Sequence, residues 1–314
     1  MKSKKISIIV PCYREEGNIE SIYAAIVRNI EATKYNYEII FVDDGSPDET
    51  NSAISRISKK NSHVKLIGFS KNFGKETATS AGIHAANGDA IIMIDADGQH
   101  PAELLPEFIE KWENGTKVVI GVRNDNQGEG FIKKYGSKLF YGFFNKTSGT
   151  KLIPGSTDYR LIDSSVKKEF DKLTEHDRIT RGLIDWLGFD RDYVTFTANK
   201  RLVGEAAYSP KKLILLAFNS FTSMSLAPLY FFGYVGLFIT TTSLIGGLFI
   251  IVQQYILSDP LNLNITGSAS LGVLILFLVG IILISQGLLS IYVSKILKES
   301  QARPLYIIDP SKSS

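Results

Sequence analysis

The chain has 314 residues, with 35 lysines and arginines against 32 aspartates and glutamates. A formal charge of +3 is too near balance to point to nucleic acid, and a single cysteine, Cys12, excludes disulfides and a cysteine-rich metal site. The length suffices for a domain of about 200 residues and a further element.

In chain order, the basic start at 1–5 and the apolar run at 6–10 superficially resemble a signal peptide. The run is too short and lacks a small-residue cleavage site, so it reads as a first strand ended by Pro11. Cys12 then reads as a small buried apolar residue. Asn18 caps a helix through Ile22, Ala25, Ile26 and Ile30. A second strand at 37–42 ends in Asp43-Asp44-Gly45. Ser46-Pro47-Asp48-Glu49 predicts a helix start, with Ser46 as N-cap, Pro47 in the first turn and Glu49 closing a capping box. A third strand at 64–69 leads to a helix at 75–86, stopped by Asn87-Gly88 as a left-handed cap. The fourth strand, 90–94, delivers Asp95 and Asp97.

Beyond it, a strand at 117–122 leads to Arg123, and 124–130 is a polar, glycine-rich loop. Lys133, Lys134 and Lys138 then alternate with Phe131, Ile132, Leu139 and Phe140, as in a surface helix or one lying at lipid headgroups. Asp158-Tyr159-Arg160-Leu161 precedes another helix, and 176–189 carries Arg178, Arg181 and Trp186. Strand–helix alternation with short connections predicts an α/β domain whose largely parallel sheet is covered on both faces. Ligands on such sheets sit beyond the carboxyl ends of the strands.

Those ends offer Pro11-Cys12-Tyr13-Arg14-Glu15, Asp43-Asp44-Gly45-Ser46 and Asp95-Ala96-Asp97. Residues i and i+2 of a strand point to one side, so Asp95 and Asp97 can converge just past its end. Two hard oxygen donors there suit Mg²⁺ or Mn²⁺ gripping a diphosphate. An acidic turn capping a helix at His100-Pro101 is the plainer alternative. Neither G-x-G-x-x-G nor G-x-x-x-x-G-K-[ST] occurs, so an acidic rim would hold a diphosphate through a divalent cation instead of a glycine loop.

No charged side chain occurs over 213–258 or over 260–294. Each stretch holds a run of roughly 20 apolar residues, enough to cross a hydrocarbon core. Pro228 divides the first into an interfacial amphipathic helix at 211–227 and a span at 229–252, and the second span covers 271–293. Lys211, Lys212, Lys295, Lys298 and Arg303 flank these spans, while 253–270 contains Asp259 and no lysine or arginine. By the positive-inside rule both termini are cytoplasmic and this loop is outside. A buried hairpin of a soluble protein is disfavoured by the lengths. The expected organisation is a cytoplasmic domain at 1–210, the interfacial helix at 211–227, a two-helix transmembrane hairpin at 228–294 and a cytoplasmic tail at 295–314, set in the inner (plasma) membrane.

Five motifs taken together resemble the family 2 glycosyltransferases: Pro11-x-Tyr13-x-Glu15, Val42-Asp43-Asp44-Gly45-Ser46, Lys71-Asn72-Phe73-Gly74-Lys75, the run from Asp95 through Gly98, Gln99 and His100 to Pro101, and Asp158-Tyr159-Arg160-Leu161. The resemblance is to the membrane branch with dolichyl-phosphate mannose synthases and bacterial undecaprenyl-phosphate glucosyltransferases. It covers nearly the whole chain, including the tail Arg303-Pro304-Leu305-Tyr306.

The resemblance implies a GT-A fold and inverting transfer from a nucleotide sugar (UDP-glucose first; UDP-N-acetylglucosamine and GDP-mannose as alternatives) to a polyprenyl phosphate. It implies that Pro11, Tyr13, Glu15, Asp44, Lys75 and Asp95 bind the nucleotide sugar, that Asp95, Asp97 and Gln99 hold the metal, and that Asp158 sits where a base is usually assigned. Arg123, Lys133, Ser137 and Arg201 match positions expected to bind the lipid phosphate. A homo-oligomer (a tetramer), with the tail docked on a neighbour, and a flippase partner are further expectations of the branch.

Three departures stand out. Gly98 replaces the usual Leu, which is expected to loosen the metal turn without removing a ligand. Gly204-Glu205-Ala206-Ala207 replaces Gly-x-Ser-Lys and loses a basic residue near the acceptor. The Gln-x-x-Arg-Trp motif of processive synthases is absent, with Arg178-x-x-Arg181-Gly182 in the comparable region, so repeated chain extension is disfavoured. Rival readings are transfer to a different membrane lipid or saccharide, a processive synthase, and a non-enzymatic subunit that helps flip a lipid-linked sugar.

Overall fold

The runs at 6–10 and 37–42 are apolar on both faces except for Ser7 and Glu38, the pattern of strands covered from both sides. In the computed structural model, which describes residues 4–124, 153, 155–176, 178–199 and 267–314 and a few isolated positions from 234 to 252, they form the centre of the sheet. Strand β1 (Lys5–Cys12) lies between β2 (Asn36–Asp43) and β4 (Ala90–Met93), parallel to both, and β3 (Val64–Gly68) flanks β2. The full order is β3-β2-β1-β4-β6-β5-β7, with β5 Val118–Arg123, β6 Ser156–Asp163 and β7 Arg191–Phe196. Only β6 runs antiparallel to its neighbours, so the sheet is mixed but mostly parallel. Asp158 to Leu161 thus lie within a strand, and helix α5 (Ser164–Phe170) follows it, capped by Asp163 accepting the Ser165 N–H.

Two cores flank the sheet. Helix α1 (Ile19–Glu31) buries Ile19, Ile22, Ile26 and Ile30 at helical spacing against Ile8, Val10 and Phe41, together with α4 (Leu105–Glu113). Each buried isoleucine contributes about 1.5–3 kcal/mol. On the other face, α3 (Lys75–Ala85) packs against Ile9, Ile40 and Met93, with α5 and α6 (Thr180–Trp186) in the same core. Gly82 allows this approach, since a Cβ there would stand 2.2 Å from Ile9 Cγ2.

Three local expectations change. Helix α2 (Thr50–Ser58) starts at Thr50, with Glu49 at the cap position and no side-chain cap. The Ser46 N–H is taken by Asp43 Oδ1 (3.0 Å) in the turn after β2, and its hydroxyl accepts the Arg14 N–H (3.1 Å), so Ser46 serves the loops instead of a helix. Asn18 does occupy the cap of α1, but its amide donates to Glu15 Oε2 (2.6 Å) and makes no cap bond. Helix α3 closes on an extended Ala86 (φ −69°, ψ 135°), and Gly88 is not left-handed. Gly88 is needed for proximity instead, because a Cβ would lie 2.7 Å from Ser7 N.

Residues Met1–Leu215 and Arg303–Ser314 form one compact unit and Leu216–Ala302 a second. In the second, helix α7 (Gly267–Gln301) contains the predicted span 271–293, and an 18-residue window within its segment Leu278–Gln301 has a mean hydropathy of 1.7. It is the one helix among the described residues long and apolar enough to cross a membrane. Its 35 residues extend roughly 52 Å at 1.5 Å each. Leu271, Ile275, Val279, Ile282 and Leu289 are exposed along it. The interfacial helix at 211–227, the span at 229–252 and the loop at 253–270 lie, apart from a few isolated positions, outside the described residues.

The C-terminal tail docks on the first unit along the β3 edge: Ser314 and Leu66 exchange backbone bonds of 2.9 and 3.1 Å, Asp309 N–H donates to Gly68 O (2.9 Å), and Ser70 N–H donates to Ile307 O (3.0 Å). Tyr306 stacks on Phe69 with ring centroids 5.0 Å apart. An open edge strand offers unpaired backbone groups, and the nearest partner segment is the chain's own.

Candidate active site

Strands β1, β2 and β4 end side by side where the strand order reverses direction about β1, the place where open α/β sheets bind ligands. There the chain leaves a cleft of about 320 Å³. Pro11, Tyr13, Glu15, Asp44, Lys75, Asp95, Asp97 and Gln99 all line it, with Cys12, Ala78 and Ala96. Every residue expected to hold the nucleotide sugar or the metal therefore faces one cavity, of a size suited to a small-molecule ligand.

The backbone is shaped to this end. Arg14 adopts φ 60°, a left-handed conformation that non-glycine residues rarely take and that marks functional turns. The turn is tied back by the Glu15 N–H donating to Thr50 Oγ1 (2.9 Å). Asp44 is buried, and its two carboxylate oxygens accept the N–H groups of Phe73 (2.6 Å) and Gly74 (2.9 Å). Burial pushes the Asp44 carboxyl above its usual range, partly offset by those two bonds. Gly74, at φ 101°, immediately precedes α3, so Asp44 fixes the loop that presents Lys75.

Lys75 is the hub. Its ammonium lies 2.7 Å from Asp95 Oδ1 and 3.1 Å from Asp158 Oδ2. Burial alone would lower its pKa, but the two carboxylates outweigh that and hold it well above the lysine range. Asp158 is the complement: burial would raise it, yet Lys75, Arg181 and Arg160 together bring it down to about 2. Asp158 is thus an ionised carboxylate with little appetite for a proton. Glu76, one residue after Lys75, is shifted up by burial and by the Asp158 charge. It accepts the Thr180 N–H (2.7 Å) at the start of α6.

The turn after β4 is braced from β6. Asp95 N–H donates to His100 Nδ1 (3.2 Å), and the His100 ring stacks on Tyr159 (5.1 Å) and meets Phe196 edge-on (5.7 Å). Burial keeps His100 below its ordinary pKa, so the neutral ring can accept that N–H. The Tyr159 hydroxyl closes the brace on Pro101 O (3.0 Å). Gly98 takes φ 75°, a left-handed position that glycine supplies at no steric cost.

Among the described residues no three His, Cys, Asp or Glu side chains converge as a metal cage. Asp95, Asp97 and Gln99 nonetheless line the same cleft. A cation, the Lys75 ammonium, already rests on Asp95. Two carboxylates and an amide oxygen fit Mg²⁺ or Mn²⁺ of the kind that takes its remaining ligands from a diphosphate and water.

Two features escaped the sequence reading. Arg160, 1 % exposed, pairs with Asp185 (2.8 Å) and also donates to Thr157 O (3.0 Å) and Arg181 O (3.2 Å), locking α6 to β6. An arginine two residues from Asp158 on a buried strand demands an acidic partner, but nothing in the sequence selected Asp185. Arg181, noted only for its spacing from Arg178, lines a narrow gap with Lys75, Glu76 and Asp158. Of the expected lipid-phosphate residues, Arg123 ends β5, held by its N–H to Gly155 O (2.9 Å), and is not among the lining residues of the main cleft. Lys133, Ser137 and Arg201 lie outside the described residues, as do residues 204–207.

Residues 7–169 match the family model Glycosyl transferase family 2. The bactoprenol glucosyl transferase of Shigella phage SfV is 36% identical over 308 residues, covering 98% of this chain and 99% of that protein. An uncharacterized glycosyltransferase of Synechocystis sp. is 37% identical over 304 residues, covering 97% and 94%. Among solved structures, mannosyl-3-phosphoglycerate synthase from Rubrobacter xylanophilus superposes with a TM-score of 0.50 over 69% of this chain and 71% of that one, at 16% identity. That likeness shows the GT-A fold alone.

Proposed function

The chain belongs to glycosyltransferase family 2, and from that premise we propose that it transfers a hexose from UDP-glucose onto polyprenyl (undecaprenyl) phosphate at the cytoplasmic face of a membrane, with inversion. The observation that carries the reading is Lys75, whose ammonium joins Asp95 in the donor cleft to Asp158 beside it. Relatives named for glucosyl transfer to bactoprenol support the acceptor, since one aligns over 98% of this chain. The apolar helix Gly267–Gln301 supplies an anchor beside such a lipid.

In this reading Pro11, Tyr13, Glu15 and Asp44 hold base and ribose, and Asp95, Asp97 and Gln99 hold Mg²⁺ or Mn²⁺. The cation would stabilise charge on the departing nucleoside diphosphate as a Lewis acid. The acceptor phosphate, with a second pKa of roughly 6, is already largely ionised near neutral pH and needs little help from a base. Asp158, held at about 2, is suited to position Lys75 and the acceptor. Lys75 offsets part of the repulsion between the two anionic substrates.

The test is a donor screen with the purified full-length chain and undecaprenyl phosphate, identifying the lipid product by mass spectrometry. A hexosyl-phosphate lipid from UDP-glucose, lost in chelator, is expected. No lipid product from any nucleotide sugar would overturn the proposal.

A further inference from the structure

We infer that Arg181 is an acceptor-side binding residue, its guanidinium gripping the phosphate of the lipid substrate beside Asp158. This rests on the acceptor assigned above. Arg181 borders the narrow gap that also contains Lys75 and Asp158, and it is half-buried. Among the described residues its guanidinium has no carboxylate within ion-pair distance and no hydrogen-bond partner. Of the two other cations lining it, Lys75 is already shared between Asp95 and Asp158. The second, Arg160, is consumed by Asp185.

The backbone of Arg181 is held to a degree that a surface arginine would not need. Its carbonyl accepts Arg160 Nη1 (3.2 Å), the preceding Thr180 N–H is fixed by Glu76 Oε2 (2.7 Å), and Asp185, one turn on, is clamped to β6. Glu76 follows Lys75 directly, so the helix carrying Arg181 is registered against the hub of the site. The chemistry requires such a group. A phosphate approaching Asp158 meets Asp95 and Asp158 with only Lys75 between them, and a planar guanidinium matches phosphate oxygens with two parallel bonds.

The experiment measures KM for undecaprenyl phosphate and for the nucleotide sugar separately, in wild type, Arg181→Gln and Arg181→Lys, on full-length protein checked for an unchanged unfolding midpoint. Loss of a charged hydrogen bond predicts a rise of roughly 10- to 100-fold in acceptor KM for Arg181→Gln. Donor KM should stay within about twofold, and Arg181→Lys should recover part of the loss. A purely structural arginine would not produce that split. A rise in donor KM alone, or no change in either, would overturn the assignment. Should Arg181→Gln fail to fold, Arg181→Lys carries the test through the same ratio. A wild type inactive on undecaprenyl phosphate but active on unphosphorylated undecaprenol would overturn the acceptor reading and this inference together, and is visible before any variant is made.

Discussion

At the amino ends of the parallel strands Glu38, with a side chain 3 % exposed, accepts from Ser7 Oγ (2.6 Å), Lys65 Nζ (2.8 Å) and Asn87 N–H (2.8 Å), with Lys5 Nζ at 2.9 Å. At the carboxyl ends the ratio is inverted: one ammonium, Lys75, serves both Asp95 and Asp158, while Asp44, Asp97 and Glu15 line the same cleft. Both are ionic clusters on one sheet. The first is complete, with four donors around one carboxylate, and it staples β1, β2, β3 and the approach to β4. The second gathers several carboxylates about one ammonium, a donor set suited to a further cation. A closed ion cluster serves the fold, whereas carboxylates gathered about an open cleft mark a place suited to ligands.

That contrast breaks most sharply at Asp97. Asp97→Ala should lower transfer by roughly 10²–10³-fold or more, because an electrostatic contact to the reacting charge is removed. Its unfolding free energy should move by no more than about 0.5 kcal/mol, since no core packing is lost. Full turnover of the variant, or of wild type in excess chelator, would show that the carboxylate surplus is not a metal site.

Glu38 should show the opposite signature. Burial would raise its pKa, but Lys65, Ser7, Lys5 and the Asn87 N–H bring it from 4.5 to about 2. A folded pKa below the unfolded one stabilises the protein above the unfolded value and loses that stability as pH falls toward the folded value. Between about pH 4.5 and pH 2 roughly 3 kcal/mol should therefore disappear, and Glu38→Gln should flatten that slope. Denaturant melts across this window check it, and an unchanged slope in the variant would place the acid sensitivity elsewhere.

The smallest effect concerns the tail. Tyr306→Ala removes the stack on Phe69 and should cost about 1 kcal/mol. Phe69 also meets Phe73 edge-on at 5.7 Å, and Asp44 holds Phe73. A donor KM that moves with Tyr306→Ala would link the tail to the loop presenting Lys75, whereas a pure stability change would confine the tail to edge protection.

Much of this was legible without coordinates. Apolar runs and chain order were enough for the first four strands, the helices between them and the mostly parallel sheet, because strands buried on both faces read as short, continuous β-branched runs. Asp95 and Asp97 do line one cleft with Tyr13, Glu15 and Asp44, but they reach it from the turn beyond β4, which ends at Met93, and not by strand periodicity. Local turn chemistry was less readable. Ser46 looked like a helix cap but was claimed by Asp43, and Gly88 looked like a terminator but makes room for Ser7, since each outcome depends on a backbone distant in sequence.

What the sequence alone determined is the set of strand ends and the residue types they carry, for these follow from short-range periodicity. Only the tertiary structure decided how the charges are shared. Lys75 reaches Asp158 across 83 positions, Arg160 finds Asp185 across 25, and Asn51 meets the Lys312 carbonyl across 261. Such pairings depend on which strands the crossovers bring side by side, and antiparallel β6 inserted between β4 and β5 is what sets Asp158 next to Lys75. No local pattern in the chain encodes that insertion, because each strand's own apolar run is satisfied by any neighbour of matching shape.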